Sequence, residues 1–320
     1  MSHDAADRAR TILVTGAMGC IGSWVVRQAL DQGHRVVAFD AQGHEHRLRL
    51  ALGDDTDTSG LVRVTGDVTN SAAVVEVMGS HGVDAVVHLA ALQVPAVAAN
   101  PVLGAQVNVV GMAVVLDAMV QCGITSPLAY ASSIAAYEQH DEGAEADGEL
   151  GGWPSTLYGV YKRANEGAAH VYWEQTSLPS IGLRPYVVYG PGRDFGMTAD
   201  PTFAMEAAAR GEGFHIRFGG ISQLQYVEDV AAAFLAAATG GFEGAVVTNV
   251  GGEGVRVSDV IAIIEDVVPE VRGLVTFDDV QLPFPPVVSS NAADYIDVPA
   301  PTPLDEGVRR TIECFRSATA

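Results

Sequence analysis

Residues 11–22 read TILVTGAMGCIG, and this stretch decides the fold class. The β-branched run TILVT (11–15) has the composition of a buried strand, and an apolar helical pattern follows the glycines. Between them, Gly16, Gly19 and Gly22 stand at a G-x-x-G-x-x-G spacing. Glycine permits a tight turn and lets a pyrophosphate approach backbone N–H groups at a helix N-terminus. The stretch therefore predicts a dinucleotide-binding unit of strand, turn and helix.

Asp40 strengthens this interpretation, since a chain with 35 glycines makes the glycine spacing weak evidence by itself. It ends the next β-branched run, RVVAFD (35–40), 18 residues after Gly22. A carboxylate there accepts hydrogen bonds from a ribose 2′-hydroxyl and repels a 2′-phosphate. We therefore predict NAD rather than NADP, against the alternative of an ordinary glycine-rich turn and a surface aspartate.

The first half of the chain alternates short strand-like runs with longer helical stretches. The later runs are LVRVTGDV (61–68), DAVVHLAA (84–91), PLAYASS (127–133) and SIGLRP (180–185), with helical patterns at 101–121 and 154–176. This alternation predicts an α/β fold with a Rossmann doubly wound parallel sheet. Glycine- and proline-rich loops after residue 185 indicate a smaller C-terminal substrate-binding α/β lobe. The predicted NAD-binding domain is 1–184 plus about 225–250, and the predicted substrate-binding lobe is 185–224 and 251–320.

The composition excludes several classes of protein. The 320-residue chain is 48% hydrophobic and carries a net charge of −21 with no basic stretch, which argues against nucleic-acid binding. Its Ala, Val and Gly residues are spread along the whole chain, so we expect no membrane span. Cys20, Cys122 and Cys314 form neither a disulfide framework nor a zinc motif. Together with an N-terminus unlike a secretory signal, these features predict a cytoplasmic protein.

Lys162 is the only lysine in the chain, and it follows Tyr158 by four residues in YGVYK (158–162). Positions i and i+4 share one face of a helix, whereas Tyr161 points elsewhere. A nearby ammonium group stabilises a phenolate and lowers the tyrosine pKa, which makes proton exchange with a substrate hydroxyl feasible. We therefore predict that Tyr158 and Lys162 are catalytic, against the alternative of a buried tyrosine and a solvated lysine.

Ser133 is the third catalytic candidate. It ends the run PLAYASS, at the edge where doubly wound sheets bind ligands, and it would orient the reacting oxygen of the substrate. Ser132 is the alternative for this role.

Several motifs occur in a fixed order: TGxxGxxG (15–22), Asp40, Asp67–Val68, HLAA (88–91), Asn108 in VNVVG, ASSIAAY (131–137) and YGVYK. This set resembles the extended short-chain dehydrogenase/reductases, the NAD-dependent epimerase/dehydratase family, over nearly the whole chain. The resemblance is specific for fold and cofactor and much less specific for substrate. It also implies a homodimer and a small-molecule substrate.

The resemblance implies a role for each matching residue. Tyr158 would be the general acid/base, Lys162 would adjust its pKa and bind the nicotinamide ribose, and Ser133 would bind the reacting oxygen. Asn108 would support the catalytic site from the neighbouring helix. Asp67 and Val68 would flank the adenine, and Pro185 would lie near the nicotinamide amide. The full set of implied cofactor contacts is Gly16, Gly19, Cys20, Ile21, Gly22, Asp40, Asp67, Val68, Leu89, Ala90, Ala91, Tyr158, Lys162 and Pro185.

Some positions depart from the family members that act on nucleotide-sugars. Val187 stands where those proteins usually have an asparagine, and Ser222 and Gln223 replace an arginine that holds the substrate diphosphate. Arg217 is an alternative source of that charge. Gln93, a further candidate substrate residue, replaces a lysine found in some epimerases. These departures favour a smaller and less anionic substrate, such as a free sugar, a sugar acid or a polyol.

Other candidates carry weaker signals. Arg193 in GPGRDFGMT is a candidate ligand for a substrate carboxylate or hydroxyl, with pairing to Asp194 as the alternative. His44 and His46 lack further ligands, so we predict no metal site. We predict that His88 is a packed residue at a strand end. The acidic segment 138–150 is a lid or, as we prefer, a solvated insertion.

These observations favour an NAD-dependent oxidoreductase that converts a secondary hydroxyl and a ketone through Tyr158, Lys162 and Ser133. The alternative is a (nucleotide-)sugar epimerase or dehydratase with tightly bound NAD and no net redox change.

Overall fold

The computed structural model describes residues 9–41, 43–137, 152–297 and 300–319, so the acidic segment 138–150 lies outside the described residues. The strands are β1 (Thr11–Thr15), β2 (Arg35–Asp40), β3 (Leu61–Thr65), β4 (Ala85–His88), β5 (Leu128–Ala131), β6 (Ser180–Arg184), β7 (Val187–Tyr189), β8 (Phe214–Ile216), β9 (Ile221–Tyr226), β10 (Ala245–Asn249), β11 (Gly254–Arg256) and β12 (Val275–Phe277). The α-helices are α1 (Cys20–Asp31), α2 (His46–Leu52), α3 (Ser71–His81), α4 (Val94–Ala99), α5 (Pro101–Ala105), α6 (Gly111–Gln121), α7 (Leu157–Thr176), α8 (Asp200–Ala209), α9 (Val227–Thr239), α10 (Val257–Val267) and α11 (Leu304–Thr319).

Seven parallel strands form the central sheet, in the order β3-β2-β1-β4-β5-β6-β10. The predicted Rossmann doubly wound sheet is therefore confirmed. The strand order reverses between β1 and β4, and in such sheets the crevice at the carboxyl ends of the two strands binds the ligand.

Helices cover both faces of this sheet, which explains why its strands are continuous apolar runs. Ile12 and Val14 of β1 pack on one face with α1 and α9, whereas Leu13 packs on the other face with α3 and α6. All three residues are almost fully buried. Because burial on both faces selects apolar residues at every strand position, the strands are easily recognised in the sequence.

The predicted helix at 101–121 is continuous, but its middle turn is a π-helix at Gln106–Val110 that joins α5 to α6. Among the described residues, the helix Pro101–Gln121 is long and apolar enough to cross a membrane, judged by length and composition alone. It also packs between α3 and α7 in the fold. The core helix of a globular protein passes the same test, so this helix is weak evidence for a membrane span.

The C-terminal half adds a three-stranded sheet, in the order β11-β9-β7, and a parallel pair of β8 and β12. Helices α8, α10 and α11 pack against these strands and against each other. The chain returns to the central sheet once more, because β10 pairs with β6 at its edge. The boundaries of the two predicted domains stay a prediction.

Candidate active site

The glycine-rich turn after β1 is held against the loop after β4. Gly16 has a φ of +70°, and a Cβ there would lie 2.7 Å from the backbone nitrogen of Ala90. A Cβ on Gly22 would lie 2.2 Å from the carbonyl oxygen of Gly16. Side chains at these two positions would collide with backbone, so the turn requires glycine at both. Gly19 lies between them and precedes the first residue of α1.

The N-terminus of α1 offers donors to an anion. Its cap residue Gly19 provides no side-chain hydrogen bond, and no acidic residue occurs in the first turn, which includes Cys20, Ile21 and Gly22. A helix leaves the N–H groups of this turn without intrahelical partners and carries a partial positive charge there. The geometry therefore fits the pyrophosphate of a dinucleotide.

Asp40 ends β2 beside this turn. Its Oδ2 accepts a hydrogen bond from the backbone N–H of Met18 at 3.0 Å. A carboxylate at this edge fits the ribose hydroxyls of NAD. The Gly16–Gly22 turn, the open helix end and Asp40 together fit an NAD-sized cofactor.

The remaining predicted cofactor residues lie at the carboxyl ends of neighbouring strands. Asp67 follows β3, and its Oδ1 accepts hydrogen bonds from the backbone and hydroxyl of Thr69. Val68 is buried beside Gly111. Leu89, Ala90 and Ala91 follow β4, where Leu89 and Ala90 bond to Thr15, and Pro185 follows β6. Their contacts with NAD stay a prediction.

Tyr158 and Ser133 meet at the same edge of the sheet. Tyr158 lies in the first turn of α7, which is capped by the side chain of Thr156, and its hydroxyl is close enough to that of Ser133 for the serine to affect its pKa. Burial raises the pKa of Tyr158, while the neighbouring Ser133 hydroxyl and the positive charge of Arg193 act to lower it. Phenol and serine hydroxyl are thus close enough to bind one substrate oxygen between them.

Lys162 is buried one turn along α7. Its Nζ lies 5.4 Å from the ring centre of Tyr158 and donates a hydrogen bond to the carbonyl of Ala131 at 2.7 Å. Burial lowers the pKa of Lys162 to about 8, and the charge of Glu166 opposes this change. The predicted effect of Lys162 on the Tyr158 pKa stays a prediction, and Ser133 and Arg193 are further groups that act to lower this pKa.

Ser132 is hydrogen-bonded to a different residue of α7. Its hydroxyl donates to Glu166 of α7, whose carboxylate also forms a bidentate pair with Arg184 at 2.8 Å for both bonds. Both side chains of this ion pair are almost fully buried. This ion pair is not among the predicted site residues, although Glu166 follows Lys162 by four residues, a spacing that places them on one helix face.

Asn108 lies in the π-helical turn and is 1% exposed. Its side-chain amide donates to the carbonyl of Leu92 at 2.9 Å and accepts from the backbone N–H of Leu92 at 2.7 Å. The backbone carbonyl of Asn108 accepts a hydrogen bond from the side chain of Asn165 in α7. Asn108 therefore positions the loop after β4, and its amide is already occupied by protein groups.

Arg193 is directed towards the candidate site. Its charge acts on both Tyr158 and Cys20, its Nη2 donates to Thr198 at 2.8 Å, and its buried Nε has no hydrogen-bond partner in the described chain. Asp194 does not pair with it, because Asp194 binds Arg47. Because Asp194 is paired with Arg47, the guanidinium of Arg193 could bind an anionic group of a substrate.

Three other candidates have ordinary surroundings. His88 Nδ1 is 2.7 Å from the hydroxyl of Thr15, and burial together with the charge of Lys162 lowers the pKa of His88 to about 3. Burial raises the pKa of Cys20 to about 11, so its thiol is neutral. Gln93 lies beside Gly196 in the loop after β7. No group of three potential metal ligands occurs among the residues that the structure describes.

The positions that depart from nucleotide-sugar enzymes are neutral and buried. Val187 packs in the core, and Ser222 is fully buried with no partner for its hydroxyl among the described residues. Gln223 bonds the backbone of Gly252 and Val288. The alternative cation, Arg217, is held by the buried carboxylate of Asp200 at 2.6 and 2.9 Å.

The model of the NAD dependent epimerase/dehydratase family matches residues 12–251. The chain belongs to this family. It is therefore an enzyme of an NAD-dependent family, and the predicted family and cofactor are confirmed.

Two proteins of known name are similar to part of this chain. Protein CapI of Staphylococcus aureus is 30% identical over 187 residues, which cover 56% of this chain and 54% of that protein. UDP-glucuronate 4-epimerase 5 of Arabidopsis thaliana is 28% identical over 184 residues, covering 57% of this chain and 42% of that protein. The match thus spans about half the length of these relatives. The solved structure of UDP-glucose 4-epimerase from Thermus thermophilus with NAD has a TM-score of 0.73 at 26% identity, and covers 96% of this chain and 99% of that chain.

Proposed function

We propose that this chain is a sugar epimerase or dehydratase that uses NAD with no net redox change. The observation that carries the proposal is the proximity of Tyr158, Ser133 and Lys162 beside a turn that fits NAD. Membership of the epimerase/dehydratase family supports it, as do relatives that are named as 4-epimerases. This is the alternative in our sequence analysis, and the relatives favour it over a net oxidation.

The side chains have complementary roles in this proposal. Tyr158 removes a proton from a secondary hydroxyl of the sugar and later returns one, and Ser133 donates a hydrogen bond to the reacting oxygen. NAD, when bound, would accept a hydride from the sugar and later return it. Lys162, held by Ala131, places a positive charge beside this exchange. Asn108 positions the loop that carries Gln93.

Arg193 and Gln93 are the proposed substrate contacts. Arg193 lies where its charge reaches Tyr158, and its buried Nε has no partner in the described residues. A planar guanidinium suits a carboxylate or paired hydroxyls on the sugar. Arg193→Gln should therefore raise KM for a sugar that carries a carboxylate more than for its neutral analogue.

Replacement of the tyrosine hydroxyl tests the proposal. We expect Tyr158→Phe to reduce turnover by about 10²–10⁴-fold, because the proton-transfer group is lost, while NAD remains bound. The matched control is Tyr161→Phe, since the Tyr161 hydroxyl donates to the carbonyl of Pro101 instead. Turnover would be followed by NMR of the sugar, with UDP-glucose, UDP-glucuronate and free sugars as probes. Wild-type turnover in Tyr158→Phe would refute the assignment.

A second candidate is a net dehydrogenase for a small sugar, sugar acid or polyol without a nucleotide. The neutral, buried Val187, Ser222 and Gln223 favour it, because a diphosphate needs cationic or N–H donors. NADH absorbance recorded during the same NMR assay separates the candidates. A new sugar without NADH supports the epimerase or dehydratase, whereas NADH that accumulates with a free sugar supports the dehydrogenase.

A further inference from the structure

The loop 190–196 leaves β7 and lies against the first two helices of the cofactor-binding half. Trp24 of α1 donates from its indole nitrogen to the carbonyl of Pro191 at 2.9 Å. A Cβ on Gly192 would lie 3.8 Å from Cβ of Arg47 in α2. The loop therefore contacts the helices that follow the glycine-rich turn and Asp40.

Asp194 fixes the far end of this loop. Its Oδ1 accepts hydrogen bonds from Nε and Nη2 of Arg47 at 2.8 and 2.6 Å, and its Oδ2 lies 2.8 Å from Nε2 of His46. The Asp194 and Arg47 side chains are 36% and 27% exposed. These bonds, which we call the Asp194 clasp, join residues that are 147 positions apart in the chain.

The clasp lies beside the cofactor cleft. The charges of Arg193, Arg47 and Asp194 all act on the thiol of Cys20, which opens α1 at the predicted pyrophosphate position. The charge of Arg193 also acts on Tyr158 at the predicted nicotinamide position. Gly196 of the same loop lies beside Gln93 in the loop after β4. The loop 190–196 therefore contacts both α1 and the loop after β4, the two elements that border the predicted NAD cleft.

We propose that Asp194 is a positioning residue that holds the loop 190–196 across the NAD cleft, and that this loop must open before NAD leaves. The inference rests on the proposed function, since an enzyme with no net redox change benefits from keeping its NAD through every turnover. Because the Asp194 clasp is partly exposed to solvent, its bonds can break when the loop opens to load the cofactor.

The test is the rate at which bound NADH leaves, measured by stopped-flow fluorescence as excess NAD displaces it. We expect Asp194→Asn to release NADH about fivefold faster, because an exposed arginine–carboxylate pair is worth up to ~1 kcal/mol. Arg47→Gln should have the same effect, and the double variant should be no faster than either single variant. Glu212→Gln is the control, since it removes one carboxylate from the exposed ion pair with Arg210.

Salt provides a readout that general loss of stability would not change. Raising ionic strength from about 0.05 to about 0.5 M should speed NADH release more in the wild type than in Asp194→Asn, because salt screens the Asp194–Arg47 pair only in the wild type while it weakens binding of the NADH pyrophosphate in both. Release from Asp194→Asn at the wild-type rate would overturn the inference, as would additive effects of Asp194→Asn and Arg47→Gln. No sugar is present in this assay. Net NADH formation from a sugar would instead overturn the proposed function and leave the clasp standing.

Discussion

The buried pair of Glu166 and Arg184 gives a sharp prediction about stability. Their side chains are 7% and 6% exposed, so Glu166→Gln would leave a buried guanidinium without its counter-charge. Breaking a buried pair in this way costs about 3–5 kcal/mol. The hydroxyl of Tyr137 and the new amide oxygen can still accept hydrogen bonds from Arg184, so we expect the lower end, about 3 kcal/mol.

Thermal unfolding measures this effect. A loss of about 3 kcal/mol should lower Tm by roughly 4–5 °C in a chain of this size. Glu174→Gln is the matched control, because it makes the same change at an exposed position of the same helix. If the two variants unfold within about 1 °C of each other, Glu166 does not neutralise Arg184 as the geometry indicates. A variant that fails to fold while the control folds would agree with the prediction.

Three further changes test other parts of the structure. Asp40→Ala should weaken NAD binding about tenfold and reduce the preference over NADP, as measured by titration calorimetry; unchanged preference would place the ribose elsewhere. Burial lowers the pKa of Lys162 in the folded protein to about 8, from an ordinary value of 10.5. Below pH 8 the folded protein bears the full cost of burying the Lys162 charge, and this cost falls as pH rises towards 10.5. The stability of wild type relative to Lys162→Met should therefore rise by about 1 kcal/mol per pH unit in that window, and a flat difference in urea unfolding would contradict it. Val110 is 47% exposed on the helix 101–121. Val110→Glu should convert the homodimer that the family resemblance implies to monomer in sedimentation velocity, whereas an unchanged mass would show that the face with Val110 is not in the dimer interface.

The elements of the central sheet could be predicted because burial on both faces leaves a strong pattern. The predicted runs TILVT (11–15) and RVVAFD (35–40) are strands with those bounds. Helix α7 begins at Leu157 rather than near Pro154, because the Thr156 side chain accepts a hydrogen bond from Gly159. Caps of this kind move helix ends by a few residues and leave only a weak signal in the sequence.

The candidate site was harder to predict wherever it depends on contacts between distant residues. The sequence brings Tyr158 and Lys162 together through helix geometry, but it does not determine whether Ser132 or Ser133 faces them, since that depends on where β5 ends. The partner of Asp194 could not be predicted either. Arg193 is its neighbour in sequence, whereas Arg47 reaches it only after the sheet has been assembled.

The π-helical turn at Gln106–Val110 makes the length of this helix as important as its composition. Upstream, Asn108 holds the loop after β4; downstream, Gly111 abuts Val68 and Val115 enters the core. The π-turn holds one residue more than a regular α-helix would need between α5 and α6. Deleting that residue would restore regular hydrogen bonding and leave Gly111 and Val115 in nearly the same places, but it would remove the widened turn that contains Asn108. The number of residues in this helix therefore determines the position of Asn108 more than the packing of α6.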